Sequence, residues 1–237
     1  MNLVIDIGNT LVKLAIFNGN ELLDSIIEEQ INEKIIDTLF QKHDIQQGIY
    51  SSVGADTKTL LKKYNFSPLT HLTPLPLVLN YKTPETLGLD RIAAVVGAKT
   101  LFNKTDVLVM DLGTCITYDF INAKNEYLGG AIAPGFQMRF KALNYFTKKL
   151  PLVNFNAAAL KLIGNTTESS IISGVYNGMK NEILGTINSY IMQYESLNIV
   201  VTGGDMNLFD LELKNRIFAD KFLVLKGLNK ILNYNAK

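Results

Sequence analysis

Asp6-Ile7-Gly8-Asn9-Thr10 is the stretch on which the fold turns. It follows the apolar run Asn2-Leu3-Val4-Ile5, which reads as a buried strand. It precedes Leu11-Val12-Lys13-Leu14-Ala15-Ile16-Phe17, which alternates well enough to be a second strand. A carboxylate, a glycine and two small polar side chains therefore occupy a tight turn between core strands. Such a turn can be a plain hairpin in which Gly8-Asn9 makes the bend. It can equally offer backbone N–H groups and hydroxyls to an anion, with Asp6 holding a cation against it. The stretch alone supports both readings. A second copy tips the balance: Asp111-Leu112-Gly113-Thr114-Cys115 again follows an apolar run, Val107-Leu108-Val109-Met110, and leads into another strand-like segment.

Outward from the first turn, Asn18-Gly19-Asn20 closes a hairpin and Glu21 to Ile27 returns as a third strand. Ile31, Ile35, Ile36, Leu39 and Phe40 recur at helical spacing, which predicts a helix over Asn32 to His43. Gly48 to Val53 reads as a fourth strand, Leu60 to Tyr64 as a short helix, and Leu69 to Leu79 as extended chain. The polar segment Tyr81 to Arg91 leads into a small-residue helix from Ile92, with Asp90 well placed at its start. From Asp106 the meander-then-helix order restarts: strands over 107–110, 115–121 and 127–133, then a helix over about 137–146. The two Asp-x-Gly turns lie 105 positions apart (111 minus 6), which indicates a duplicated architecture. The expected halves are residues 1–105 and 106–237. A helix start at Asn165 to Glu168 opens a run of apolar residues reaching Tyr194, interrupted by Gly174, Gly178 and Gly185. Those glycines predict close packing against a neighbouring helix or subunit, since each costs about 1 kcal/mol relative to alanine. Ile199 to Val201 is a strand ending in Thr202-Gly203-Gly204-Asp205, Phe222 to Leu225 a last strand, and Gly227 to Leu232 a closing helix.

Bulk properties narrow the class. The 237 residues suffice for one large or two small domains. Hydrophobic residues make up 47% and charged residues 19%, an ordinary globular composition. A net charge of +1 points to no nucleic acid and no acidic membrane surface. The apolar start lacks a basic flank, unlike a signal peptide, and no apolar window reaches the roughly 18 residues of a spanning helix. One cysteine, Cys115, excludes an intrachain disulfide and a Cys-rich metal site. His43 and His71 lie outside any ligand spacing. A cytoplasmic protein is expected.

Three strand ends thus carry polar, glycine-containing turns, where open α/β sheets bind ligands. Facing carboxylates across a cleft between halves suit a metal–nucleotide complex. No Walker-type Gly-x-x-x-x-Gly-Lys-Ser/Thr loop and no Gly-x-Gly-x-x-Gly occurs, which argues against a P-loop or dinucleotide fold. Two histidines in loop or helix-end settings argue against a Ser-His-Asp hydrolase.

The motifs resemble those of the acetate and sugar kinase, heat-shock chaperone and actin superfamily. Within it, the chain resembles the type III pantothenate kinases. The matches are Asp6 to Thr10, Gly88-Leu89-Asp90-Arg91, Asp111-Leu112-Gly113-Thr114-Cys115-Ile116-Thr117, Gly129 to Gly135, Gly164-Asn165-Thr166, Thr202 to Asp205 and Leu225 to Asn229, in the family's order. The resemblance implies two ribonuclease H-like half-domains of the actin-like ATPase type, mixed sheets flanked by helices with a cleft between them. It implies ATP-dependent phosphorylation of pantothenate, the first step of coenzyme A synthesis. On that resemblance Asp6, Ile7, Gly8, Asn9, Thr10, Leu11, Val12 and Lys13 form the phosphate loop, and Thr114 also contacts ATP. Asp111 holds a monovalent cation, K⁺ or NH₄⁺, and Asp6 lies near the divalent metal (Mg²⁺) carried with ATP. Tyr81, Gly88, Leu89, Asp90, Arg91 and Thr166 contact pantothenate, and Asp90 is the catalytic base. A homodimer is implied, with the helix from Thr167 to Tyr194 as the candidate contact. Without that resemblance, Asp90 reads as a helix cap and Arg91 as its solvated neighbour. Cys115-Ile116 and Phe136-Gln137-Met138-Arg139 depart from the family pattern; the latter is expected to alter the floor of the pantothenate pocket.

Overall fold

A computed structural model describes residues 1–52, 57–209 and 217–236. Two compact units emerge: Met1–Val109 with Asp119–Gly129 and Phe222–Lys237, and Met110–Tyr118 with Gly130–Lys221. Both units are discontinuous in sequence, so they are a different partition from the two successive meander-and-helix runs.

The elements run β1 (Asn2–Ile7), β2 (Val12–Asn18), β3 (Glu21–Glu28), α1 (Glu33–Lys42), β4 (Gln47–Ser52), α2 (Thr57–Lys63), β5 (Ser67–Pro68), β6 (Val78–Leu79) and α3 (Leu89–Leu101). They continue β7 (Asp106–Leu112), β8 (Cys115–Ile121), β9 (Glu126–Pro134), α4 (Phe136–Tyr145), α5 (Thr167–Gln193), β10 (Leu197–Thr202), β11 (Ile217–Ala219) and α6 (Leu223–Asn235). One sheet has the order β3-β2-β1-β4-β5, the other β11-β10-β7-β8-β9-β6. The α/β class with mixed sheets flanked by helices is as the sequence predicts. Val53, expected to end the fourth strand, lies outside the described residues.

In the first sheet β1 pairs antiparallel with β2 and parallel with β4, so it is a central strand buried along its whole length. Its pleat divides the side chains. Leu3, Ile5 and Ile7 join Ile36 and Leu39 of α1, Leu61 and Phe66 in one core. Asn2 lies on the opposite face and donates to Asn229 of α6 at 2.7 Å. Asn32 caps α1 by accepting from the Ile35 N–H at 3.1 Å, as its position before the apolar repeat predicts.

Helix α3 is buried at eight consecutive positions, Arg91 to Ala98, because α6 covers the face that would otherwise be wet. The two helices touch backbone to backbone: a methyl on Gly227 would strike the Ala93 carbonyl. Leu223–Leu225 therefore form the first turn of α6 and not a strand; a short apolar run carries no period that separates the two.

In the second unit Phe136, Phe140, Phe155, Tyr176 and Phe209 pack ring on ring, Phe136 to Phe140 at 5.2 Å edge-on and Phe155 to Tyr176 stacked at 5.6 Å. Phe136 is core, and Arg139 donates to the Pro134 carbonyl at 2.8 Å and to Glu182 at 2.6 Å. The bulky Phe136–Arg139 departure thus serves packing between α4 and α5, which is a sufficient reason for its size. The α5 glycines bear on one half of another expectation, packing against a neighbouring helix or subunit. Among the described residues a methyl on Gly174, Gly178 or Gly185 would meet nothing within 4 Å, so these glycines pack against no described helix of this chain.

Candidate active site

The first turn is built by the ends of β1 and β2. Asp6 stands opposite Lys13 on β2 and beside Ser51 on β4. Asp6 as a residue is 9% exposed, a burial that only a charged or hydrogen-bonding partner makes tolerable for a carboxylate. Gly8 N–H closes the turn onto the Leu11 carbonyl at 3.1 Å. Gly8, Asn9, Thr10 and Leu11 are exposed, whereas Ile7 and Val12 are buried in the core. Of the expected phosphate loop, those two can therefore meet a ligand only through backbone.

The second turn is enclosed. Asp111 and Leu112 end β7, and Gly113 N–H donates to the Cys115 carbonyl at 3.1 Å. The third turn clasps it: Asp205 N–H donates to the Leu112 carbonyl at 2.9 Å. Gly203 adopts φ +98°, and a Cβ there would overlap the Leu112 backbone and come within 2.6 Å of Asp111 Oδ1. Only glycine fits that position on both counts. Burial raises the Asp205 carboxyl above its ordinary 3.8. Thr114 is exposed at the crest, and Cys115 is a half-buried free thiol.

The expected acceptor segment sits at the start of α3. Gly88 is the N-cap and provides no side-chain cap. Asp90, in the first helical turn, folds back so that its Oδ1 lies 2.5 Å from where a Gly88 Cβ would be, and it accepts the Arg91 N–H at 2.8 Å. His71 Nε2 holds the Leu87 carbonyl at 2.9 Å, just before Gly88. Arg91 is not a solvated neighbour. It is 7% exposed and points inward, with Nη2 donating to Asp119 Oδ1 at 2.7 Å and Nε donating to the same oxygen at 3.0 Å. Tyr127 OH donates to that oxygen at 2.7 Å. Burial works against the Arg91 charge, and the Asp119 carboxylate more than offsets it, so the guanidinium stays protonated. Burial, then the Asp119 charge, pushes the Tyr127 phenol far up, which keeps it a donor. Tyr81 rests on Tyr127 with ring centroids 5.9 Å apart.

Tyr81 and Gly88 to Arg91 thus share the first unit with Asp6 to Lys13, while Asp111, Thr114 and Thr166 belong to the second. Thr166, not Asn165, caps α5, in a reciprocal box with Ser169 rather than Glu168. It lines a cavity of about 370 Å³ with Leu152, Asn154, Asn156 and Ile172. A larger cavity of about 490 Å³, beside Phe17, Lys99 and Lys230, is lined by none of the expected site residues. Sequence reasoning missed Asp119 and Tyr127. The available signal was a carboxylate within the strand run Cys115–Ile121, since an aspartate is rarely buried without a partner.

Among the described residues no three His, Cys, Asp or Glu side chains cluster as a metal cage. Single carboxylates at Asp6 and Asp111 suit an ion that arrives with phosphate oxygens or takes backbone and carboxylate oxygens, so the donor set fits a nucleotide-borne Mg²⁺. No helix among the described residues is long and apolar enough to cross a membrane.

The sequence profile described as Type III pantothenate kinase matches residues 2–189. A protein of that name from Phocaeicola vulgatus is 47% identical over 242 residues, covering all of both chains. Among solved structures, a Campylobacter jejuni protein named as a Baf family transcriptional activator aligns with a TM-score of 0.63 at 26% identity, over 99% of this chain and 98% of its own. A ROK family glucokinase from Streptomyces griseus, solved with glucose and AMPPNP, aligns with a TM-score of 0.56 at 12% identity over 98% of each chain, a likeness of fold alone. By profile, identity and coverage, this chain belongs to the type III pantothenate kinase family.

Proposed function

We propose that the chain transfers the γ-phosphoryl group of ATP to the primary hydroxyl of pantothenate, the first step of coenzyme A synthesis. The observation that carries the reading is the start of α3, where Asp90 folds over Gly88 at a helix N-terminus, within a chain of this family. Phosphoryl transfer through a loose transition state needs positioning and charge neutralisation more than covalent chemistry. Asp90 orients the acceptor hydroxyl and takes its proton late. Asp6 to Lys13 and Thr114 bind the nucleotide, chiefly through exposed backbone at Gly8 to Leu11, with Lys13 near the phosphates. Tyr81, Gly88, Leu89, Arg91 and Thr166 shape the pantothenate site, Arg91 from behind. When bound, Mg²⁺ at Asp6 and K⁺ or NH₄⁺ at Asp111 would supply charge neutralisation.

The same reading makes the chain a cytoplasmic homodimer of duplicated halves, 1–105 and 106–237. The open stripe of Gly174, Gly178 and Gly185 on α5 supports that helix as the dimer contact. A second reading, a nucleotide-binding regulator without turnover, takes its support from the name of the Campylobacter jejuni neighbour. The net charge of +1 disfavours direct DNA binding. A coupled ADP-release assay separates them, run with and without pantothenate and K⁺ and against a panel of sugars and hydroxy acids. Pantothenate-dependent, K⁺-stimulated release is expected. ATP binding with no release on any acceptor would favour the regulator.

A further inference from the structure

Asp119 is fully buried, yet it is far from idle. One of its oxygens, Oδ1, receives three donors: Nε and Nη2 of Arg91 and the hydroxyl of Tyr127. Arg91 Nη2 also reaches the Tyr127 oxygen at 3.1 Å. A buried ion pair is a poor way to gain stability, because desolvation offsets most of the attraction, but a planar guanidinium fork fixes direction as well as distance.

The fixed groups are both next to expected acceptor residues. Arg91 follows Asp90 in the chain, and its backbone N–H donates to Asp90 Oδ1. The line from Asp119 through Arg91 to the Asp90 carboxylate is therefore continuous. On the other side Tyr127 carries the ring of Tyr81, which also lies 3.8 Å from where a Gly129 Cβ would be, at φ +112°. We propose that Asp119 is a positioning residue for phosphoryl acceptance. It aims Asp90 through Arg91 and sets Tyr81 through Tyr127. Arg91 accordingly acts as a strut and makes no side-chain contact with substrate. The proposal rests on the reading of Asp90 as the base.

The test compares Asp119→Asn, Tyr127→Phe, Asp90→Asn and the double variant Asp90→Asn/Asp119→Asn in full-length protein, with turnover scaled to the folded fraction by circular dichroism. Asp119→Asn should lower kcat roughly 10- to 100-fold while the KM for ATP stays within about twofold, since a small misplacement suffices for such a loss. Tyr127→Phe keeps the ion pair and should raise the KM for pantothenate roughly 3- to 10-fold with little change in kcat. The double variant should be no slower than Asp90→Asn alone, as groups acting as a unit are not additive. If Asp119→Asn only lowers Tm and keeps wild-type kcat per folded molecule while Asp90→Asn is slow, the positioning role is overturned and the base stands. Should Asp119→Asn not fold, a wild-type KM for pantothenate in Tyr127→Phe overturns it. Wild-type turnover in Asp90→Asn removes the base and the proposal together.

Discussion

The turns at Asp6–Thr10 and Asp111–Thr114 carry the same short pattern, yet the fold treats them differently. The first is a hairpin crest: the Gly8 N–H closes onto the Leu11 carbonyl, and four successive residues are exposed. The second is walled in, with Asp205 bonded to the Leu112 carbonyl and Gly203 pressed against the Leu112 backbone and Asp111. The difference teaches that a repeated motif repeats a local shape and not its support. An open turn can adapt to a polyphosphate, whereas a clasped one holds a carboxylate still.

The largest effect should come from the clasp. Gly203→Ala combines backbone overlap with a strained φ, and should lower stability by about 3 kcal/mol, or roughly 6 to 12 °C in Tm for a chain of this length. Gly8→Ala meets only the Leu11 carbonyl at 3.2 Å, and its stability should stay within about 1 kcal/mol. Equal shifts in thermal unfolding would erase the contrast.

Next come the two carboxylates. Asp6→Asn should reduce kcat/KM for ATP by roughly 100-fold, as loss of a charge-stabilising group typically does. With the monovalent cation at Asp111 as proposed, Asp111→Asn should instead bring rates with and without K⁺ together. If both variants lose the K⁺ response to the same extent, the turns do not divide the cations between them.

The smallest effect concerns Asp205. Burial raises its folded-state pKa, so protonation favours the fold. Its contribution is fully present below the unfolded value of 3.8 and is lost as pH rises through the raised folded value. Asp205→Asn should therefore gain slightly on wild type as pH rises from acid to neutral, read as Tm against pH. A variant Tm that falls relative to wild type as pH rises would contradict the assignment.

Local signals made much of this legible. The apolar runs before each Asp-x-Gly turn became β1 and β7, the strand-like segments after them became β2 and β8, and the apolar repeat after Asn32 became α1 with that residue as its cap. What failed was non-local or degenerate. Ser169 completes the α5 cap as well as a glutamate could, so Glu168 gave a false register. Leu223–Leu225 is apolar in either a strand or a helix, and packing against α3 decided it. The partner of Arg91 lies 28 residues away in the chain, and no spacing rule reaches it. For the same reason Asp90 was readable as a candidate while the anchor behind it was not.

Turnover of Asp90→Asn at saturating ATP and pantothenate, with nucleotide affinity measured on the same protein, decides whether Asp90 is the base. Wild-type ATP binding is expected, with a loss of at least roughly 100-fold in pantothenate-dependent ADP release, the scale of a general base. Turnover close to wild type would contradict that role.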